Sequence, residues 1–308
     1  MQLMADLSPA TVLGPVRLTV ADVVGATAFY ERTVGLRRLG EATDDGVVRL
    51  GAGDDPARPA LVELVGDASA PPRARHASGL FHLALLVPDR PSLAQALRRV
   101  VGGRERVRLD GASDHLVSEA LYLSDPEGNG IELYRDRPRE TWRRDEDGQL
   151  AMATLPLDLE DLVGELADGS GATARELLAA PAEDPGMPAD TTVGHVHLQV
   201  ADLAAAEAFY AGGLGFDVMV RGYPGALFVA AGGYHHHVGL NTWASAGGPP
   251  ADPAARGLRD FTIALPSADE RDRIAHRVAD AGYAVREEGG DVAVTDPFGI
   301  AVRLTAHA

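Results

Sequence analysis

The chain repeats itself, and that repeat constrains its fold more than any other feature of its 308 residues. Residues 14–30 read GPVRLTVADVVGATAFY, and residues 194–210 read GHVHLQVADLAAAEAFY. Each segment opens with the period-two alternation of a half-buried strand, turns at an Asp and enters an Ala-rich helix ending in Phe-Tyr. Two fainter copies keep the outline: LFHLALLVPDRPSLAQALRRV at 80–100 and LRDFTIALPSADERDRIAHRVA at 258–279. Both fainter copies run on to one kind of turn, Asp125-Pro126-Glu127-Gly128 leading into NGIELY and Asp296-Pro297-Phe298-Gly299 leading into IAVRL. Proline fixes φ in such a turn and glycine permits positive φ. A βαβββ unit therefore recurs four times, at roughly 12–65, 79–136, 192–244 and 257–305.

This pattern predicts an α+β protein in which paired units form two cupped, mixed β-sheets. Along the chain it divides into residues 1–138, carrying units one and two as a pair, and residues 192–308, carrying units three and four. Between them, residues 139–191 form a connector with two acidic helical stretches (LDLEDLVGELA, ATARELLAA) and a Pro-rich run, PAEDPGMPAD.

A repeat lets equivalent positions be compared within one sequence. With the opening strands registered on their last Val or Leu, Pro15, His82, His195 and Asp260 share one column, and Arg17, Ala84, His197 and Thr262 share the next outward position. The residues between, Val16, Leu83, Val196 and Phe261, are all apolar, so one strand face packs a core and the other carries polar side chains. The closing strand of unit two carries Glu132, set by the turn alignment opposite Ala301 in unit four. His82, His195 and Glu132 make a 2-His-1-carboxylate set, which suits Fe(II) first and Mn(II) second and leaves coordination positions open. Asp260 and Glu63 offer the start of a second site, but Pro15 and Ala301 withhold its partners, so that half reads as metal-free. One topological requirement follows: two ligands come from unit two and one from unit three, so these units must face each other, within the chain or across a dimer. The connector has the reach for either.

Composition narrows the chemistry. There is no cysteine and no lysine, which excludes disulfides, thiolate nucleophiles, Schiff bases and the Walker A loop. The net charge of −17 lacks any strong basic stretch, so neither nucleic acid nor an anionic membrane is an expected partner. No apolar run reaches the ~18 residues of a membrane span, and the N-terminal residues do not read as a secretion signal. The expected location is the cytoplasm, and a homodimer is the first assembly to expect.

Three runs carry a more specific likeness: GGYHHHVGLN at 232–241, SEALYLSDPEGNGIE at 118–132 and DRPRETW at 136–142. With the four units, they resemble the vicinal-oxygen-chelate superfamily of glyoxalases, bleomycin resistance proteins and extradiol dioxygenases, and within it the two-domain bacterial catechol 2,3-dioxygenase type. The resemblance implies extradiol cleavage of a catechol, or a substituted catechol, by O2 at the metal. It implies that Tyr122, ten residues before the ligand Glu132, holds a substrate oxygen, and that His236 is the acid–base catalyst. If 234–238 were a strand, His235 and His237 would share the opposite face from His236. His235, His237, His197 and His115 complete the candidate substrate contacts. Trp243, Phe228, Tyr223 and Trp142 read as packing residues ahead of pocket residues. Two alternatives share the fold: a glyoxalase-like isomerase, typically with four ligands, and a metal-free binder of a drug or small molecule.

Overall fold

The computed structural model describes residues 7–43, 45–103, 107–146, 148–167, 169, 171–179 and 186–306. The front of the Pro-rich run, 181–185, lies outside them. The four opening strands are Val12–Val20, Gly79–Leu86, Thr192–Gln199 and Gly257–Leu265. Each is followed by a helix whose start is capped by the residue that the repeat places at the turn. The side chains of Asp22, Asp89, Asp202 and Ser267 accept from the backbone N–H three residues on, which satisfies a donor the helix start leaves free. The connector contributes helices Leu159–Gly164 and Ala174–Ala179. No helix among the described residues is long and apolar enough to cross a membrane.

The sheets are nested rather than sequential. The opening strands of units two and three pair antiparallel, and these two units form a nine-stranded sheet. The opening strands of units one and four pair in the same way within an eight-stranded sheet. The pairing of units one with two and three with four is therefore corrected at the level of the sheets, and units two and three face each other within one chain. Sequential units meet elsewhere. Each Ala-rich helix of units one and three widens into a π-helical turn, Tyr30–Val34 and Ala208–Gly213. From these turns the Tyr30 hydroxyl donates to Asp125 at 3.2 Å and the Tyr210 hydroxyl donates to Asp296 at 3.0 Å. Each turn aspartate also accepts two backbone N–H groups of its own Asp-Pro-x-Gly turn. Burial pushes the Asp296 carboxyl up to about 6 and moves Asp125 in the same direction.

Closing strands run parallel to opening strands, which brings Gly130 beside His82 and Glu132 beside Ala84. Glycine is required at 130 by this approach: a Cβ there would run into the Phe81 carbonyl oxygen and lie 3.1 Å from the His82 Cβ. Gly130→Ala is expected to cost about 1–3 kcal/mol, the usual range for overpacking, and to displace His82. Urea unfolding measures the first effect and metal titration the second. A substitution that left both unchanged would contradict this strand contact.

Candidate metal centre

The sheet register builds the site. On the opening strand of unit two, Leu83 and Leu85 are fully buried in the core, while His82 and Ala84 point to the other face. Ala84 lies between Glu132 on one neighbouring strand and His195 on the other. Its small side chain leaves the two longer ones free to reach across it. All three ligand candidates are 5 % exposed or less. His82 Nε2 lies 2.9 Å from Glu132 Oε2, and His195 Nε2 lies 3.1 Å from the same oxygen. One potential ligand atom from each residue falls within 4.8 Å of the others.

This arrangement fits a metal. Two ring nitrogens converge on one carboxylate oxygen, and the buried His82 Nε2 is not aligned with any hydrogen-bond partner. That is the geometry of lone pairs aimed at a common point rather than of a satisfied hydrogen-bond network. Burial pushes His195 down to about 4, against the pull of Glu132, so its ring is neutral and able to ligate near pH 7. Burial opposes ionisation of Glu132, but His195 and His82 outweigh it and hold the carboxyl well below its usual range. Two imidazole nitrogens and one carboxylate oxygen form a donor set for a first-row divalent ion.

The centre opens into a cavity of about 230 Å³. Tyr122 and His236 line it with His82 and Glu132. Tyr122 stands directly across the strand pair from Glu132, and burial and that carboxylate push its phenol well above the usual range. Its hydroxyl lies 2.7 Å from His115 Nε2. His115 Nδ1 lies 2.7 Å from the Ala153 carbonyl and must donate to it. In a neutral His115 the Nε2 then accepts the tyrosine proton. The His236 ring is 4.1 Å from that of His195, and burial, helped by neighbouring histidines, holds it well below the ordinary imidazole range. His197 also lines the cavity, packed against the rings of His82 and Trp243. Phe81 and Trp243, the more exposed of the lining aromatics, stack edge to face at 5.4 Å.

Several expectations are corrected. The three-histidine run is not on a strand. Gly232 and Gly233 turn the chain with positive φ, and pairing begins only at Val238. The predicted alternation of faces therefore fails, and the rings of His235 and His236 touch. His237 does not line the metal cavity. Its Nδ1 accepts from Ala231 N–H, and it borders a separate cavity on the sheet of units one and four. His235 also stays out of the metal cavity, whereas His197 and His115 are in its wall. Trp243, Phe228 and Tyr223 line the cavity instead of only packing the core, while Trp142 packs against Tyr234 and His235 outside it.

The closing-strand alignment also shifts. Glu132 pairs beside Ala84 and Arg303 beside Thr262. Each is the seventh residue after its turn aspartate, so Arg303, not Ala301, is the counterpart of Glu132. In that second cup, Arg17 bonds Glu63 at 3.1 Å and reaches Asp260 at 3.5 Å, with Arg303 at 3.7 Å from Asp260. Guanidinium groups thus occupy the two carboxylates that were candidates for a second metal site.

The connector was read as a spacer, yet Met152, Ala153 and Thr154 form one wall of the metal cavity. The Thr154 and Tyr223 hydroxyls meet at 2.7 Å. No periodicity or motif in that stretch marks these residues.

A family model for the Glyoxalase/Bleomycin resistance protein/Dioxygenase superfamily matches residues 12–133 and 192–304. A catechol-2,3-dioxygenase of Bacillus subtilis (strain 168) is 41% identical over 303 residues, covering 96% of each chain. Among solved structures, glyoxalase I from Zea mays aligns with a TM-score of 0.57 at 15% identity, covering 96% of this chain and 92% of that one. The cppA protein from Streptococcus pneumoniae TIGR4 aligns with a TM-score of 0.55 at 8% identity, covering 96% and 97%. These structures share the fold, and the family match together with the 41% identical relative shows that this chain belongs to the glyoxalase/bleomycin resistance protein/dioxygenase superfamily.

Proposed function

We propose that the protein is an extradiol dioxygenase that cleaves a catechol, or a small substituted catechol, with O2. The observation that carries this reading is the His82–Glu132–His195 centre opening into an aromatic-walled cavity that also holds Tyr122 and His236. The identity of the relative named a catechol-2,3-dioxygenase supports it. The metal is Fe(II) in the first instance and Mn(II) in the second. Bound by these three side chains, it would supply Lewis acidity, a template for the diol and open positions beside it.

The remaining roles belong to the chain. The cavity volume suits one aromatic ring with small substituents. Phe81, Phe228 and Trp243 offer apolar faces to that ring. Tyr122, kept protonated by its high pKa, holds a substrate oxygen and is itself oriented by His115. His236, kept neutral by burial, accepts the proton of the second hydroxyl and returns it later to an oxygen of the cleaving ring. The closely packed surroundings exclude water from a step that water would divert.

A four-ligand isomerase is less well served. In unit three, Gly239 pairs beside His197 at the position equivalent to Glu132, so the chain offers no carboxylate there.

The test is oxygen consumption. Metal-free protein is loaded anaerobically with Fe(II) and mixed with oxygenated catechols of increasing size. Uptake of one O2 per ring, with appearance of a yellow semialdehyde, is the expected result. No uptake across the panel with either Fe(II) or Mn(II) would sink the proposal.

A further inference from the structure

Asp136 was not among the expected site residues, yet it ends a buried chain that begins in the cavity. His236 Nδ1 lies 2.7 Å from His235 Nδ1. His235 Nε2 lies 2.9 Å from Asp136 Oδ1. The Tyr234 hydroxyl donates to the same carboxylate oxygen at 3.2 Å, and the Tyr134 and Tyr234 hydroxyls meet at 2.7 Å. The His235 ring is fully buried and the Asp136 side chain is one-quarter exposed. From its place in the closing strand of unit two, Asp136 is thus fixed from two sides.

We infer that Asp136, acting through His235, fixes the tautomer of His236 so that its Nε2 faces the cavity without a proton. The direction follows from the donors available. A carboxylate only accepts, so His235 Nε2 carries hydrogen. A neutral His235 then has a bare Nδ1. The nitrogen 2.7 Å away must supply the proton, so His236 carries its hydrogen on Nδ1. Its Nε2 is left as a lone pair for the cavity that the ring lines. The inference rests on the proposed reading of His236 as the base. It adds the device that makes the ring a base rather than a donor when substrate arrives. When a diol hydroxyl gives its proton to Nε2, the O–H bond breaks and an N–H bond forms. The positive charge created is then stabilised along the Nδ1–His235–Asp136 line. Asp136 and His235 are positioning residues, since neither touches the cavity.

The test reads tautomers directly. Long-range 15N–1H correlation spectra of metal-free protein with 15N-labelled histidine distinguish Nδ1–H from Nε2–H rings. The expected pattern in the unsubstituted protein is His235 protonated at Nε2 and His236 at Nδ1. Asp136→Ala, which removes the acceptor, is expected to release His236 into a mixture with Nε2–H. Asp136→Asn, which keeps an acceptor oxygen, is expected to restore the original pattern. In the Fe(II)-loaded enzyme, Asp136→Ala should lower kcat by about 10- to 100-fold, the usual effect of an outer-shell partner, with KM little changed. His236 carrying hydrogen on Nε2 in the unsubstituted protein, a doubly protonated His235, or tautomers indifferent to Asp136→Ala would each overturn the inference. If Asp136→Ala does not fold, the spectra of the unsubstituted protein still decide. Absence of turnover with every catechol would remove the dioxygenase reading, while the tautomer pattern would be judged on the spectra alone.

Discussion

Glu132→Gln abolishes metal retention and ring cleavage while leaving the metal-free protein as stable as before, or more stable. The two effects separate because Glu132 serves the site and not the fold. As a ligand it supplies the negative charge of the set, and both histidine Nε2 atoms converge on its Oε2. Losing a direct ligand is expected to exceed the ~10–100-fold loss that an outer-shell partner brings. As a buried group it is an anion taken out of water, with neighbours that burial keeps largely neutral. Replacing such a carboxylate by a neutral isostere removes the cost of desolvating it. Metal analysis after gel filtration, oxygen uptake and paired thermal melts with and without chelator give the three readings. A variant that keeps its metal, or that unfolds without it, would assign Glu132 to structure.

Acid is expected to destabilise the metal-free protein steeply once pH falls below about 6.5, the ordinary imidazole value. Burial lowers His195 to about 4 and His237 to about 3, and moves His197 and His236 in the same direction. The folded pKa of each lies below the unfolded value of about 6.5. Between those values the unfolded chain binds protons that the folded chain refuses. Their stability is therefore complete above the unfolded pKa and is lost as pH falls through the folded one. Each tenfold weakening of proton affinity on folding corresponds to about 1.4 kcal/mol, so the histidines together represent a loss on the order of several kcal/mol. Asp296 works the other way. Raised to about 6, it favours the folded state as pH falls toward the ordinary carboxyl range, and Asp125 follows it. Four histidines against two aspartates leave the balance with acid unfolding. Urea unfolding from pH 8 to pH 4.5 in chelator measures it. A flat profile would mean that the histidines are open to water in solution. Added metal should flatten the upper part of the curve, because ligation requires the deprotonated rings.

Much of this was legible because the chain is its own alignment. The recurrence of VADVVGATAFY as VADLAAAEAFY placed His82 and His195 in one slot, and two ligands from different units forced units two and three together. That inference needed only strand periodicity. The errors arose where periodicity ends. The three histidines follow paired glycines at positive φ, so no alternation rule applied to them. The closing strand of unit four was placed two residues out of register, which hid Arg303 behind Ala301 until strand pairing fixed it. The connector's cavity wall and the reach of Asp136 to His235 are contacts between distant segments. Side chains that meet only through tertiary folding leave no spacing to read.

The nested pairing also sets an order of assembly. Opening strands close like brackets, the inner pair from units two and three and the outer pair from units one and four. As the chain leaves the ribosome, unit one must wait for its sheet partner until residue 257 and beyond has emerged. The inner sheet has all its strands once Asn241 is made, so the metal centre can form while the first strand is still unmatched. Pairing between the ends of a long chain is slow, because closing the loop comes before the contacts that reward it. The first strand to be made is thus among the last to be matched, and its edge is the surface that needs shielding during synthesis.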